Sequence, residues 1–247
     1  MIRSASLNGL RRTPAGLMSR LLTADWHLTL LLGLLLLVIF VLYPISDGGL
    51  VLAIILQSFL TLILLSGAAL ASRSKIGRKL GRKIGRTFVI VLAISTAVIG
   101  WVRTFFTDAP LNVFGISIWV VFLATLTVLI IFRIFAQGRI NMHRIQGAVA
   151  AYLLLGVIWS GLYRLVVQFD PRAFTLPSVV DESTLMSKLV YFSFVTLTTV
   201  GYGDVTAVHT AARSLAILEA LIGQLFPAVL IARLVSMEVV DRTAPPP

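Results

Sequence analysis

The sequence predicts an all-α membrane protein with six transmembrane helices and a short re-entrant helix and loop between the fifth and the sixth. Of its 247 residues, 58% are hydrophobic and only 13% are charged, whereas soluble domains are about one quarter charged. Six apolar runs have the length of about 20 residues that a helix needs to cross a bilayer. Basic and acidic connecting segments alternate along the chain, as they do when successive loops lie on opposite sides of a membrane.

The six apolar runs are predicted to be helices because a chain in lipid must satisfy its own backbone hydrogen bonds. The first run follows several arginines, as a signal peptide would, but it is long and no small-x-small cleavage pattern follows it. The sixth run is apolar apart from Glu219 and Pro227. The predicted spans are Trp26–Tyr43, Leu50–Ala71, Thr87–Phe106, Val113–Phe135, Gly147–Phe169 and Ala211–Val235.

Charge placement predicts the orientation of these spans. The loops at 73–86 and 136–146 are basic, whereas the loops between them and around them carry Asp47 and Asp108. The positive-inside rule then places both basic loops in the cytoplasm, together with both termini. The net charge of +11 is therefore explained by topology in a multi-pass protein of the cell membrane, and we expect no nucleic-acid partner.

The basic loop 73–86 contains a repeat, IGRK-LGRK-IGR, in which apolar residues and glycines recur every four residues. One interpretation is a short amphipathic helix on the membrane surface, with its basic side chains toward anionic lipid. The other is a simple topology anchor. The sequence leaves both open.

A polar stretch, TLTTVGYGD at 196–204, follows an apolar segment at 188–199 that is too short to cross a bilayer. The preceding residues, 170–187, contain two prolines and several acids and are predicted to form an extracellular loop. Non-helical backbone at membrane depth is tolerated only where it is buried in protein or lines a watery cavity. We therefore predict a re-entrant segment here.

The functional groups of residues 199–203 are main-chain carbonyls, because no acid or base lies among them. Carbonyls that point to one side require positive φ at alternate residues, and the glycines at 201 and 203 supply it without a Cβ penalty. Neutral oxygens suit a hard monovalent cation, since they replace its water without binding it too tightly. The loop thus predicts a cation site made of backbone.

The stretch TVGYGD, directly preceded by T-x-T, resembles the signature of tetrameric potassium channels. The resemblance covers about residues 147–237 and implies an outer helix, an extracellular turret, a pore helix at 188–198, a filter at 199–203 and an inner helix. It also implies a homotetramer, since one filter strand per chain cannot enclose an axis. The predicted domains are a cytoplasmic N-terminus at 1–25, a four-helix membrane domain at 26–145, a pore domain at 146–237 and a cytoplasmic tail at 238–247.

The resemblance implies that permeant K⁺ ions bind in the filter and that no organic cofactor or other metal is needed. Tyr202 would point away from the axis toward an aromatic cuff, and Gly203 would close the outer mouth. The ion-coordinating residues would be Thr199, Val200, Gly201, Tyr202 and Gly203, with the Thr199 hydroxyl as a further ligand.

The support of the filter departs from the family pattern. Where many members have a tryptophan pair, this chain has Tyr191-Phe192, so the Tyr191 hydroxyl is expected to donate to Asp204. Phe192 has no donor, and Tyr202 would depend on Thr196. The predicted support residues are Tyr191, Phe192, Val195, Thr196, Thr198 and Asp204.

The last span contains two helix-weakening residues, Gly223 and Pro227. Gly223 stands where similar channels place a hinge glycine, and Pro227 removes a backbone hydrogen bond and kinks a helix. The alternative is that Gly223 permits close helix packing. The sequence leaves the two readings equal.

Two charged residues, Arg164 and Glu219, are predicted to lie inside spans, where a lone charge costs about 2.5–3.5 kcal/mol. We predict that they pair. One alternative is that Glu219 binds groups behind the filter or faces water while Arg164 snorkels outward. Another is that Arg213 is the partner of Glu219.

The fourth run has one cation, Arg133, at its inner end, so we predict that the protein is not voltage-gated, since a voltage sensor needs several. No metalloprotease motif, nucleophile elbow or acid cluster is present, and we predict no enzyme activity. Two other functions stay open from the sequence: a K⁺ transporter, although transporters usually carry several degenerate loops per chain, and a non-conducting regulatory membrane subunit.

Overall fold

The computed structural model describes residues 28–42, 49–72, 82–105, 109–135, 142–176 and 182–243. The predicted N-terminal segment 1–25, residues 73–81 of the basic loop and the last four residues of the tail lie outside this part of the chain. The two readings of the basic repeat therefore stay predictions, although residues 82–86 form the start of a helix.

The described part of the chain is built from helices, and each of the six predicted runs contains one, which confirms the all-α class. The last turn of the first helix, Val38–Leu42, is a π-helix. The helices are α1 Leu28–Leu42, α2 Gly49–Ser72, α3 Arg82–Phe105, α4 Ala109–Ile134, α5 Met142–Phe169, α6 Glu182–Leu197 and α7 Thr210–Thr243.

Within the described ranges, three helical stretches are long and apolar enough to cross a membrane: Asn112–Ile134, Met142–Phe169 and Thr210–Ser236. The three stretches differ in the share of their residues that the rest of the chain buries. In the most apolar part of α5, 61% of the residues are buried, against 39% in α4 and 11% in α7. Thus α5 is the central helix of the chain, and α7 lies at its edge.

The helix before the polar loop begins earlier than predicted, at Glu182 and not at residue 188, and it ends at Leu197. Apolar character alone places the start too late, because the first turn of α6 is polar. The predicted extracellular loop 170–187 is shorter by the same residues.

The last helix extends farther than predicted, because α7 continues to Thr243 and so enters the predicted tail at 238–247. The reason is that hydropathy detects only the part of a helix that can face lipid, whereas backbone hydrogen bonds continue into the polar turns that follow.

Candidate functional site

The C-terminal end of α6 is fixed by the two helices that pack on it. Tyr152 of α5 donates a hydrogen bond from its hydroxyl to the carbonyl oxygen of Leu197, at 3.2 Å. From the other side, α7 approaches so closely that a Cβ on Gly223 would lie 1.9 Å from the same oxygen. Of the two readings of Gly223, close packing is the one this contact supports.

The loop that follows α6 turns back on the helix through its amide groups. The amides of Val200 and Gly201 both donate to the carbonyl of Val195, at 2.9 and 3.3 Å. In a trans peptide unit the C=O and the N–H point in opposite directions. The carbonyls of Thr199 and Val200 therefore point away from α6, to the same side of the loop.

Positive φ alternates along this loop, with values of 58° at Thr199, 61° at Gly201 and 80° at Gly203. The two glycines were predicted to take this conformation, but Thr199 was not. A β-branched residue there is unusual and costs about 1–3 kcal/mol. The alternation itself, counted backward from the glycines, is the signal that could have identified Thr199.

All five predicted ligand residues, Thr199 to Gly203, are exposed in the single chain. The side chain of Tyr202 is 71% exposed, so within one chain it has no aromatic cuff. A cavity of about 640 Å³ lies beside it, between α6, the loop and α1. Its lining includes Phe40, Lys188, Tyr191, Phe194, Val195, Thr198, Val200 and Tyr202.

An interaction with the carboxylate of Asp204 is the main cause that raises the pKa of the Tyr191 hydroxyl above its ordinary value of 10.0. The donation from Tyr191 to Asp204 that the sequence predicts stays a prediction. Thr198 donates from its hydroxyl to the carbonyl of Phe194 at 2.6 Å, and the carbonyl of Thr196 accepts the amide of Thr199 at 2.9 Å. These threonines thus fix the turn out of α6.

Phe192 lies on a different face of α6 from Tyr191 and does not line the cavity. Its ring packs edge-on against Tyr163 of α5 and Phe174, with centroids 5.0 and 5.2 Å apart. Adjacent residues of a helix point about 100° apart, so Tyr191 and Phe192 contact different neighbours in the single chain. The predicted support role of Phe192 stays a prediction.

Two loops on the outer side of α6 are joined by a short antiparallel bridge between Phe174 and Ala207. The amide of Thr175 donates to Thr206 at 2.9 Å, and their hydroxyl oxygens are 2.8 Å apart. The segment after Asp204 is thereby attached to the end of α5. Hydropathy could not predict this bridge, because the bridge is formed by backbone groups that every residue carries.

Glu219 of α7 is fully buried, and its partners are two hydroxyl groups, one of them on the helix before the filter, and not Arg164 or Arg213. Tyr163 donates to one carboxyl oxygen at 2.5 Å, and the hydroxyl of Ser193 is 2.5 Å from the other. Arg164 is also buried but is not a hydrogen-bond partner of this carboxyl group. Arg213 donates to the carbonyl of Ala207 at 3.1 Å.

The predicted Arg164–Glu219 pair is corrected because α5 turns Tyr163, and not its neighbour, toward α7. Sequence reasoning missed Tyr163, Ser193 and Tyr152 as residues of this region. The signal for them was weak, since each is one hydroxyl in an apolar run. Pro227 lies inside α7, one turn after Gly223, and the helix continues past it.

Residues 150–239 match a protein family described as "Ion channel". The chain is also similar to Protein LctB of Bacillus caldotenax, with 34% identity over 119 residues, which are 47% of this chain and 87% of that protein. No solved structure matches the chain. The matched range contains α6, the loop after it and most of α5 and α7.

Proposed function

Because the chain belongs to the ion-channel family, we propose that it forms a potassium-selective channel in which four copies enclose one pore. The single observation that carries the proposal is the loop geometry. Two successive carbonyls, of Thr199 and Val200, lie opposite α6, and positive φ alternates through Gly203 in the sequence TVGYGD. Rings of neutral carbonyls are suited to replace the water of a K⁺ ion.

The ligands in this proposal are the carbonyls of residues 199–202 and the hydroxyl of Thr199. These carbonyls need little rearrangement when an ion enters, because the amides of Val200 and Gly201 are already bonded to the end of α6 and hold the loop in place. Gly203 allows the chain to turn outward, where the bridge at Ala207 ties it to the end of α5. K⁺ is the permeant ion, and no organic cofactor takes part.

The proposal of a homotetramer is supported by what one chain leaves uncovered. The filter loop is exposed, and α7 shows large apolar side chains, such as Ile217, Leu221 and Leu225, to its surroundings. One strand cannot surround an ion, and closed cyclic symmetry is the usual solution. Four copies would place the loops around one axis and the α7 helices behind them, and would cover the cavity beside Tyr202.

The proposed topology has six spans, with α6 as a re-entrant pore helix and both termini in the cytoplasm. At 1.5 Å per residue the 16 residues of α6 extend about 24 Å, less than the bilayer core of about 30 Å. We place the protein in the cell membrane, with anionic lipid as the partner of the basic loop 73–86. Arg133 is the only cation in the sequence of α4, so we propose that gating is not by voltage.

Ion flux from liposomes tests the proposal. Protein reconstituted with a K⁺ gradient should conduct K⁺ and Rb⁺ but not Na⁺. In Gly201→Ala the new Cβ has space, but the φ of 61° is unfavourable for it, so selectivity should fall while the protein still assembles. Gly33→Ala is the matched control, because Gly33 has no atom within 4 Å of its Cβ position and an ordinary φ.

Three outcomes would contradict this function. Equal flux of Na⁺ and K⁺ through the native protein would rule out selectivity. Intact tetramers that carry no ion would favour a non-conducting regulatory subunit, and flux that depends on a coupled ion would favour a transporter.

A further inference from the structure

We propose that Glu219 is protonated in the folded protein and acts as a positioning residue that ties α6 to α5 and α7 at once. The inference concerns one carboxyl group, and its role in conduction rests on the proposed function. Glu219, Tyr163 and Ser193 are each 0% exposed. One residue comes from each of the three helices, so the cluster lies where they meet.

The count of hydrogen atoms in the cluster gives the protonation state. The Ser193 oxygen lies 2.7 Å from the carbonyl of Gly156 and 2.5 Å from a carboxyl oxygen of Glu219. Oxygens this close need a hydrogen between them, and a serine hydroxyl has only one. The carbonyl of Gly156 can only accept, so Ser193 donates to it. The hydrogen of the second contact then belongs to Glu219.

The other carboxyl oxygen fits the same assignment, because it accepts the hydrogen of Tyr163 at 2.5 Å. Each hydroxyl then makes one donation, from Tyr163 to Glu219, from Glu219 to Ser193 and from Ser193 to Gly156. The chain of bonds runs from α5 through α7 and α6 back to α5. Such a neutral network satisfies every polar atom in it, whereas an ionised carboxylate would leave one short contact without a hydrogen.

Among the residues that the structure describes, no cationic side chain is in contact with the carboxyl group of Glu219. Helix α5 contributes Tyr152, Tyr163 and Arg164, but only Tyr163 bonds to the carboxyl group. Helix α6 contributes Ser193. On α7 itself the nearest cation toward the outer end is Arg213, whose side chain is bonded to Ala207. A buried carboxylate with no counter-ion in contact would cost a large free energy, and a protonated, neutral carboxyl group avoids this cost.

The cluster around Glu219 lies on the same helix faces as the contact that fixes the end of α6, where the loop begins. Glu219 and Gly223 are four residues apart on α7, and Ser193 and Leu197 are four apart on α6, so each pair shares one helix face. Glu219 meets Ser193, and Gly223 meets Leu197. The side and the end of α6 are thus fixed by the same face of α7, and the loop begins at that end.

The decisive comparison is Glu219→Gln against Glu219→Ala. Glutamine can accept from Tyr163 through its oxygen and donate to Ser193 through its nitrogen, as the protonated acid does. We expect Glu219→Gln to keep K⁺ flux per tetramer within about twofold of the native value. Glu219→Ala leaves the buried hydroxyl of Tyr163 without its acceptor and removes the donor to Ser193, which keeps its own bond to Gly156, and flux should fall by about tenfold or more.

Infrared spectroscopy provides a readout that does not depend on conduction. The difference spectrum between the native protein and Glu219→Gln at neutral pH should contain the C=O band of a protonated carboxyl group, with a shift in D₂O. A difference spectrum with only carboxylate bands would overturn the inference, as would a Glu219→Gln protein that is as defective as Glu219→Ala. If the protonated band is present but the native protein does not discriminate K⁺ from Na⁺, the proposed function fails and the inference about Glu219 stands.

Discussion

Replacement of Gly223 by alanine tests whether this glycine serves packing or bending. The new Cβ would lie 1.9 Å from the carbonyl oxygen of Leu197, 2.8 Å from its carbonyl carbon and 3.1 Å from its Cα. All three are backbone atoms, so no side-chain rotation can relieve the contact. Because real Cβ contacts are not shorter than about 3.0 Å, α7 and the end of α6 must separate by roughly 1 Å.

The magnitude follows from two losses. Overpacking of this kind costs about 1–3 kcal/mol, and displacement of Leu197 also weakens the bond from Tyr152, worth about 0.5–1.5 kcal/mol. We therefore expect a destabilisation of about 3 kcal/mol. In a chain of this size each kcal/mol lowers Tm by about 2–4 °C, which gives a decrease of roughly 6–12 °C.

The assay is thermal unfolding of the detergent-solubilised oligomer, followed by size-exclusion chromatography, with K⁺ flux measured on the same preparation. Gly33→Ala is the matched control and should leave Tm unchanged or slightly higher, since alanine is favoured over glycine within a helix by about 0.5–1 kcal/mol. A Gly223→Ala protein with native Tm and altered flux would refute the packing argument and restore the hinge.

Three further predictions concern single contacts. Gly156→Ala should destabilise the oligomer less than Gly223→Ala, because the atoms nearest its Cβ would belong to the ring of Phe194, at 2.7 Å, and a side chain can move away by a change in χ1 whereas a backbone carbonyl cannot; equal losses in Tm would contradict this. Thr199→Ser should reduce K⁺ flux less than Thr199→Ala, since serine retains the hydroxyl ligand; identical flux ratios for the two would remove the hydroxyl from the proposed site. The interaction with Asp204 raises the pKa of Tyr191 in the folded state, so the contribution of this interaction to stability is complete below pH 10.0 and is lost as pH rises through the folded pKa. The native oligomer should therefore lose more Tm above that pH than Tyr191→Phe does, and parallel pH profiles would count against the contact.

The helices and the polar loop could be predicted because they depend on local properties. Apolar runs of about 20 residues and the alternation of basic and acidic loops located each helix, although α6 begins earlier and α7 ends later than predicted. The glycines at 201 and 203 indicated positive φ, and both have it. These features follow from chain composition and backbone sterics, which do not depend on which helices meet.

The contacts between helices could not be predicted in the same way. The choice between Arg164 and Tyr163 as the partner of Glu219 depends on how α5 is rotated about its axis. The face taken by Phe192 depends on the same kind of rotation for α6. Neighbouring residues in a helix differ by about 100°, so an error of one position changes the partner completely.

The sequence by itself determined that this protein is a helical membrane protein with a backbone-lined loop of the TVGYG type, since length, hydropathy and glycine spacing are sufficient for that. Only the tertiary structure decided that Gly223 is a packing contact and that Glu219 bonds to two hydroxyls. The physical reason is that both depend on the distance and rotation between packed helices. Those are set by the whole interface and not by any one segment.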